Sequence, residues 1–349
     1  MRPPVGAPLW RGSHPVGGAS PGGPCCEGAI PRYIRATMSD PASPSADSMT
    51  VFDRRMVRLH RDRAAPRIGE HDYLLREVGE RLAERLDLIR RDFTRALDLG
   101  GRSGIMAPLL LGRSGIETVV RTDLSPAMAA LGGGPRLAAD EEFLPFAPGA
   151  FDLVVSNLSL HWVNDLPGAL IQVRRALRPD GLFLAALFGG DTLFELRRSL
   201  MEAEMEVTGG VSPRISPMAD LRDAAGLLQR AGFALPVADS DTITVGYSSP
   251  LRLIEDLRGM GETNAALARL RRPTRRAVLA RALERYAALF TEADGTLTAT
   301  FQVLYMAGWS PDAAVQQQPA RRGSADTRLA EALKAIEVGT GVRPDGTKA

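Results

Sequence analysis

Asp98, Asp123 and Asp140 each follow a short run of apolar or small residues, and a glycine-rich turn comes directly after the first of them. Ala96-Leu97-Asp98-Leu99 opens into Gly100-Gly101-Arg102-Ser103-Gly104. Gly100, Gly101 and Gly104 let the backbone approach a ligand closely, and a helix behind them offers free N–H groups. Asp123 closes Val119-Val120-Arg121-Thr122, 25 residues after Asp98. A carboxylate in that place accepts both hydroxyls of a ribose. Capping is the alternative for both, Asp98 on a tight turn and Asp123, with Ser125, on the next helix. Asp140, Glu141 and Glu142 form an acid-tipped loop before Phe143-Leu144-Pro145-Phe146; simple solvation would also account for it. His161 and Trp162 follow the run Phe151–Asn157. His161 is a candidate base or hydrogen-bonding group, or a packed histidine without chemistry. Asp191, in Gly189-Gly190-Asp191-Thr192, is a candidate for holding a cationic group or for capping a helix. Acids and glycines at successive strand ends predict a nucleoside site along one edge of an open α/β sheet.

A metal centre is not predicted. The histidines are His14, His60, His71 and His161. His60-Arg61-Asp62 supplies the H-x-D half of a facial triad, but in a basic region with no distal histidine to complete it.

The elements that must position these residues follow from periodicity. Tyr73, Leu74, Val78, Leu82, Leu86 and Ile89 recur at helical spacing and predict a helix over Asp72–Leu88. It sits where many sheets of this kind place a helix over the ligand. Strands are predicted at Arg95–Leu99, Thr118–Thr122, Leu153–Ser156 and Leu182–Phe188, with helices from about Ile105, at Ser125-Pro126 and over Asp165–Leu177. Regular alternation of this kind gives a parallel sheet with helices on both faces. Asp191-Thr192 is expected to cap a helix running through Leu200, with Glu195 completing a capping box on Thr192. Leu221–Ala231 reads as a helix stopped by Gly232, and Thr242–Tyr247 and Ala299–Met306 as the last strands. The fold expected is α/β and Rossmann-like, a mostly parallel seven-stranded sheet with a helical insertion, about 250–292, between its last two strands.

Residues 1–49 are rich in Pro, Gly and Ser without apolar periodicity, and are expected to be a disordered extension. Arg2, Arg11, Arg32 and Arg35 suggest a targeting segment, but the Pro and Gly density opposes the amphipathic helix a mitochondrial one needs. An over-long gene start, with Met38 or Met49 as the true one, or a dispensable tail is the preferred reading. The ordered domain is placed at 50–309 and a polar tail at 310–349. Arg54, Arg55, Arg58, Arg61, Arg63 and Arg67 make Phe52–Arg67 basic, either a solvated helix face or a docking surface for an acidic partner.

Composition narrows the class. Hydrophobic residues at 44% and charged residues at 24% fit an ordinary globular chain, and a net charge of +2 gives no argument for a nucleic-acid partner. The longest apolar run, Leu182–Phe188, is too short for a bilayer, although a peripheral position at a membrane is compatible with that. Cys25 and Cys26 are adjacent and outside the expected fold, which removes a disulfide framework and suits a reducing compartment. The cytoplasm is expected for a bacterial source and the mitochondrial matrix for a eukaryotic one. The sequence does not fix the oligomeric state.

In order and spacing the signals from Ala96 to Ala169 resemble a class I S-adenosylmethionine (SAM) dependent methyltransferase. The resemblance implies SAM as cofactor. It implies that Asp98 anchors the amino group, that Asp123 takes the ribose, and that Asp140, beside Glu141, takes the adenine amino group. Most relatives carry glycine where Arg102 stands, so its side chain is expected to crowd the methionine moiety or pair with its carboxylate.

A closer resemblance runs from Val51 to about Ala325. It is carried by Val51-Phe52-Asp53-Arg54, Phe143-Leu144-Pro145-Phe146, Ser159-Leu160-His161-Trp162-Val163-Asn164-Asp165-Leu166-Pro167 and Phe188-Gly189-Gly190-Asp191-Thr192-Leu193. Ser212-Pro213-Arg214-Ile215-Ser216-Pro217, Glu255-Asp256-Leu257-Arg258-Gly259-Met260-Gly261-Glu262 and Arg322-Gly323-Ser324-Ala325 extend it. These segments resemble the complex I assembly factors of mitochondria and proteobacteria that hydroxylate an arginine of an iron–sulfur subunit. The resemblance implies that this subunit of NADH:quinone oxidoreductase is the partner, with Leu251–Phe290 helping to dock it and Asp191 and Glu262 as candidates for its guanidinium. Up to His161-Trp162 the motifs also resemble malonyl-acyl-carrier-protein methyltransferase, whose acidic partner would suit Arg54–Arg67. A non-catalytic assembly chaperone is the remaining alternative.

Overall fold

The computed structural model describes residues 50–218 and 221–311. The N-terminal extension, the tail beyond residue 311, both cysteines and Arg322-Gly323-Ser324-Ala325 lie outside the described residues. Strands β1 (Arg95–Leu99), β2 (Thr118–Asp123), β3 (Arg136–Ala138), β4 (Phe151–Asn157) and β5 (Leu177–Phe188) are parallel. Strand β7 (Leu297–Trp309) lies antiparallel between β5 and β6 (Ala234–Tyr247), giving the order β3-β2-β1-β4-β5-β7-β6. Strand order reverses between β1 and β4, and that reversal opens a crevice at the carboxyl edge.

Strand β5 shows why the sheet reads as a continuous apolar run. Leu182, Leu184, Ala186 and Phe188 enter one core, while Phe183, Ala185 and Leu187 enter the other. A strand covered on both faces has no polar side to alternate with. On the first face lies α2 (Tyr73–Asp87), which buries Leu74, Val78, Leu82 and Leu86. On the second lie α5 (Leu166–Ala176) and α7 (Leu221–Arg230), through Leu170, Val173 and Leu228. Helix α2 therefore packs on the sheet face. The helix over the acidic strand ends is another one, α1 (Arg54–Ala64).

Helix α5 starts where Asp165 Oδ1 accepts the Gly168 N–H at 2.8 Å, with Pro167 in the first turn. Replacing Asp165 by Ala is expected to lower stability by about 1 kcal/mol. A denaturant midpoint that does not move would exclude that role. Gly232, at φ +83°, closes α7, and Phe233 N–H donates to the Leu228 carbonyl at 3.0 Å.

Helix α3 after the glycine turn is short, Met106–Leu110, and α4 is Pro126–Ala129. The insertion carries α8 (Pro250–Gly259) and α9 (Arg276–Phe290). The expected capping box at Thr192 does not form. Helix α6 runs from Phe194 to Thr208, beyond the expected Leu200, and its cap position is Leu193 in left-handed geometry with no side-chain cap. Thr192 Oγ1 donates instead to the Gln302 carbonyl at 3.0 Å, and Glu195 accepts from Thr300 of β7. Tertiary partners on the neighbouring strand outcompete the local motif.

Candidate functional site

Asp98, near the end of β1, is wholly buried, and neither carboxylate oxygen has a hydrogen-bond partner. Burial pushes its carboxyl up to about 7; the nearby Arg121 guanidinium opposes the rise and Asp123 adds to it. A buried, unpartnered acid at a strand end is the feature a cationic ligand would satisfy. The turn behind it admits no side chain at its glycines. A Cβ on Gly100 would lie 2.1 Å from Ser159 Oγ, and one on Gly101 2.4 Å from Arg121 Cγ and 2.6 Å from Asp98 Oδ2. At Gly104 it would stand 2.0 Å from Arg121 Nη1. Arg121, from β2, thus lies against the turn.

Asp123 ends β2 and accepts Ser125 N–H at 2.7 Å and Arg102 N–H at 3.1 Å. The side-chain cap of α4 is Ser125, which accepts from Met128 N–H. The acid loop after β3 closes on the same crevice, but its carboxylates are already paired. Arg61, fully buried in α1, donates from Nη1 to Glu141 Oε1 at 2.8 Å and from Nη2 to Ser159 Oγ at 2.8 Å. Its Nη1 also reaches both Asp123 oxygens at 3.4 Å. Arg54, two helical turns earlier, pairs with Asp140 and Glu141. Against the cost of burial, these two cations hold the Glu141 carboxyl well below the usual carboxylate range. Glu142 serves the loop, accepting Asn164 N–H at 2.7 Å.

The basic stretch is therefore split. Arg55, Arg58, Arg63 and Arg67 are exposed, whereas Arg54 and Arg61 turn inward to the acids. Sequence reasoning missed that inward pair and Ser159. The available signal was the shared helix face of Arg54, Val57, Arg61 and Ala64.

Arg102 departs from expectation in a second way. Its φ of +46° is a conformation that suits glycine, yet its side chain is buried. It reaches the insertion, where Nη2 donates to the Met260 carbonyl and Nη1 lies 2.7 Å from Glu262 Oε1. Glu262 Oε2 is 3.1 Å from His161 Nε2 and accepts Trp162 Nε1–H at 3.0 Å. Glu262 is thus committed to Arg102, His161 and Trp162 and is not a free acid for a substrate guanidinium. Burial pushes the His161 imidazole down, Glu262 opposes that, and His161 Nδ1 has no partner. The shift favours the neutral imidazole, with Nδ1 unengaged in hydrogen bonding. Asp191 is exposed just after β5; its backbone N–H donates to Gln302 Oε1 at 3.1 Å and its carbonyl accepts Phe194 N–H at 3.3 Å, while its side chain makes no hydrogen bond among the described residues.

Beside this edge lies a largely apolar cavity of about 690 Å³, lined by Val51, Gly190, Arg197, Ile215, Met218 and Ala266 among others. Among the described residues no cluster of His, Cys, Asp or Glu could hold a metal ion. No described helix is long and apolar enough to cross a membrane.

The sequence profile of the methyltransferase-domain family matches residues 68–236. The zebrafish (Danio rerio) protein named arginine-hydroxylase NDUFAF5, mitochondrial, is 43% identical over 305 residues, covering 83% of this chain and 92% of its own. The human protein of the same name is also 43% identical, over 86% of this chain and 88% of its own length. The chain belongs to the NDUFAF5 family. That family lies within the SAM-dependent methyltransferase superfamily, whose Rossmann-like sheet this chain has. A malonyl-[acyl-carrier protein] O-methyltransferase of Halorhodospira halophila is 37% identical over 74% of this chain and 88% of its own.

Proposed function

We propose that residues 50–309 bind SAM and modify, by hydroxylation, an arginine of an iron–sulfur subunit of NADH:quinone oxidoreductase. The observation that carries this reading is 43% identity to proteins named arginine-hydroxylase over more than four fifths of the chain. The fit to SAM rests on Asp98, whose unpartnered buried carboxylate suits the ammonium of the cofactor's methionine end. Gly100, Gly101 and Gly104 would let that end approach the backbone, and Asp123, Asp140 and Glu141 would serve the nucleoside. Bound SAM would supply a sulfonium-activated methyl group, the reactant of ordinary methyl transfer; hydroxylation instead inserts one oxygen atom into a C–H bond and would draw on a separate oxygen-donating oxidant. His161, with Nε2 turned to Glu262 and Nδ1 unengaged, is the group on this edge suited to accept a proton or a hydrogen bond from a substrate donor. The cavity beside Gly190 and the insertion would receive the protein substrate, with Asp191 the exposed carboxylate nearest in sequence for a guanidinium. Cytoplasm in a bacterium, or matrix in a eukaryote, is the matching compartment.

Methyl transfer to an acyl-carrier substrate is the second reading. The exposed Arg55, Arg58, Arg63 and Arg67 favour it, since an acidic carrier would dock on them. A chaperone role without catalysis is the third. Deleting the gene and weighing the subunits and peptides of the purified oxidoreductase separates them. Loss of one oxygen from an arginine is the expected result, and loss of a methylene unit instead would indicate methylation. Unchanged masses with impaired assembly would indicate a chaperone; unchanged masses with biotin auxotrophy would exclude the respiratory reading.

A further inference from the structure

Arg61 and the ribose of a bound nucleoside would draw on the same carboxylate. Asp123 already accepts two backbone N–H groups, and Arg61 Nη1 lies at 3.4 Å from both of its oxygens. Arg61 Nη1 and Arg54 also hold Glu141, and Arg54 holds Asp140. The acids best placed for ribose and adenine are thus all paired with one helix of the chain itself. Asp98, beside the glycine turn, is left without a partner.

The way α1 is held indicates an occupant that can leave. Apolar packing of its first two turns is slight, a cluster of Phe52, Val57, Trp162 and Ala265 separate from the two main cores, and only its last residue, Ala64, enters a main core, with Ala65 and Ile68 after it. Most of its attachment is polar. Besides the two arginines, Asp62 accepts from Ser125 Oγ, and His60 Nδ1 lies 3.0 Å from the Thr263 carbonyl. Buried ion pairs add little net stability once desolvation is counted, and apolar area is what makes a contact hard to break. The Nε groups of both Arg54 and Arg61 are buried without a hydrogen-bond partner. A permanent structural lock would be expected to satisfy them. The start of the helix is tethered separately: Asp53 N–H donates to the Ala265 carbonyl at 2.9 Å, and Asn164 Oδ1 accepts from Val51 and Phe52 N–H. Helix α1 is therefore anchored at both ends, and what a ligand can displace is the pair of inward side chains, with the turns between them loosening as they leave.

We propose that α1 is a self-inhibitory plug: Arg54 and Arg61 occupy the nucleoside subsite, and cofactor binding displaces them. The inference rests on the SAM reading above. S-adenosylhomocysteine is the probe, titrated calorimetrically into the full chain and into Arg61→Met and Arg54→Met variants whose melting has been checked. Hydrogen exchange of residues 54–64 is followed in the wild-type chain with and without saturating ligand. Arg61→Met is expected to bind at least tenfold more tightly than wild type, and exchange in α1 to rise when the ligand binds. If Arg61→Met does not fold, Arg54→Met is expected to gain affinity in the same direction, and the wild-type exchange measurement stands alone. Binding to wild type with equal or weaker affinity in the folded variants, or with α1 unchanged or more protected, overturns the plug and leaves SAM binding intact. No binding to any of the three proteins overturns the SAM reading and the plug with it.

Discussion

Replacing Asp98 by Asn makes the ligand-free protein more stable at pH 8 and nearly abolishes its affinity for S-adenosylhomocysteine. The two effects have one source. The Asp98 carboxyl, pushed up to about 7 from an ordinary 3.8 by burial, carries a charge that no hydrogen bond in the chain satisfies. Below pH 3.8 it is protonated in both folded and unfolded chains and adds no pH-dependent penalty. Between 3.8 and about 7 the folded chain holds the proton that the unfolded one has lost, so stability falls as pH rises. Above 7 the penalty is constant, at most about 4 kcal/mol from a gap of roughly three pKa units. Asparagine keeps the shape and removes the charge, but leaves an unpartnered amide costing about 1–3 kcal/mol. A net gain of about 2 kcal/mol corresponds to a rise of roughly 5 °C in Tm at pH 8. At pH 4 the difference shrinks and can reverse. Losing a charge-assisted bond to the ligand's ammonium weakens binding by about 3 kcal/mol, roughly a hundredfold. Melting curves from pH 4 to 8 and calorimetry on both proteins check this. A variant less stable than wild type at pH 8, or one that binds equally well, would remove Asp98 from the role assigned to it.

Much of the sheet was legible in the sequence because its central strands are buried on both faces and end in punctuation, whereas β3, three exposed residues, carries no apolar run to reveal it. Leu182–Phe188 is a continuous apolar run and Leu153-Val154-Val155 a shorter one, and Gly100 and Gly232 break the chain where the structure turns, whereas Gly181 lies inside β5, which begins earlier than expected, at Leu177. Asp98 and Asp123 could be placed on one edge from their positions in those runs alone. The partners of the acids could not. Arginine is almost never buried unless paired, so a run of six reads as a wet surface. Arg61 is buried only because Asp123, Glu141 and Ser159, 62 to 98 residues away, meet it there. The same limit hid the fate of Thr192 and Glu195. Their spacing satisfies the capping-box pattern, but Gln302 and Thr300 on β7 take both side chains. Arg102 breaks a local rule, a side chain at φ +46°, and what compensates it is Glu262, 160 residues later.

That compensation sets the second large effect. Glu262→Gln keeps the side chain's size but leaves Arg102 as a buried cation without a counter-charge. Breaking a buried pair by removing one partner costs about 3–5 kcal/mol. The wild-type chain already shows the linkage. Arg102 and then His161 hold the Glu262 carboxyl at about 2 against an ordinary 4.5, although burial alone would raise it. Its contribution is present in full above pH 4.5 and is lost as pH falls toward 2, a change of about 3 kcal/mol. Arg102→Gly relieves the strained backbone but strands Glu262 as a buried anion, so it too destabilises. Combining the two removes both charges together and leaves glycine at a positive φ, where it is at ease. The double variant is therefore expected to be at least about 2 kcal/mol more stable than the sum of the single losses, the range found for residues in direct contact. Denaturant unfolding of the four proteins at pH 7 measures the coupling. Additive losses would mean that Arg102 and Glu262 do not depend on one another, and that the insertion is held to the glycine turn by other contacts. Strong coupling would make the charge pair itself the link between the glycine turn and the insertion, with His161 and Trp162 positioned by the same carboxylate.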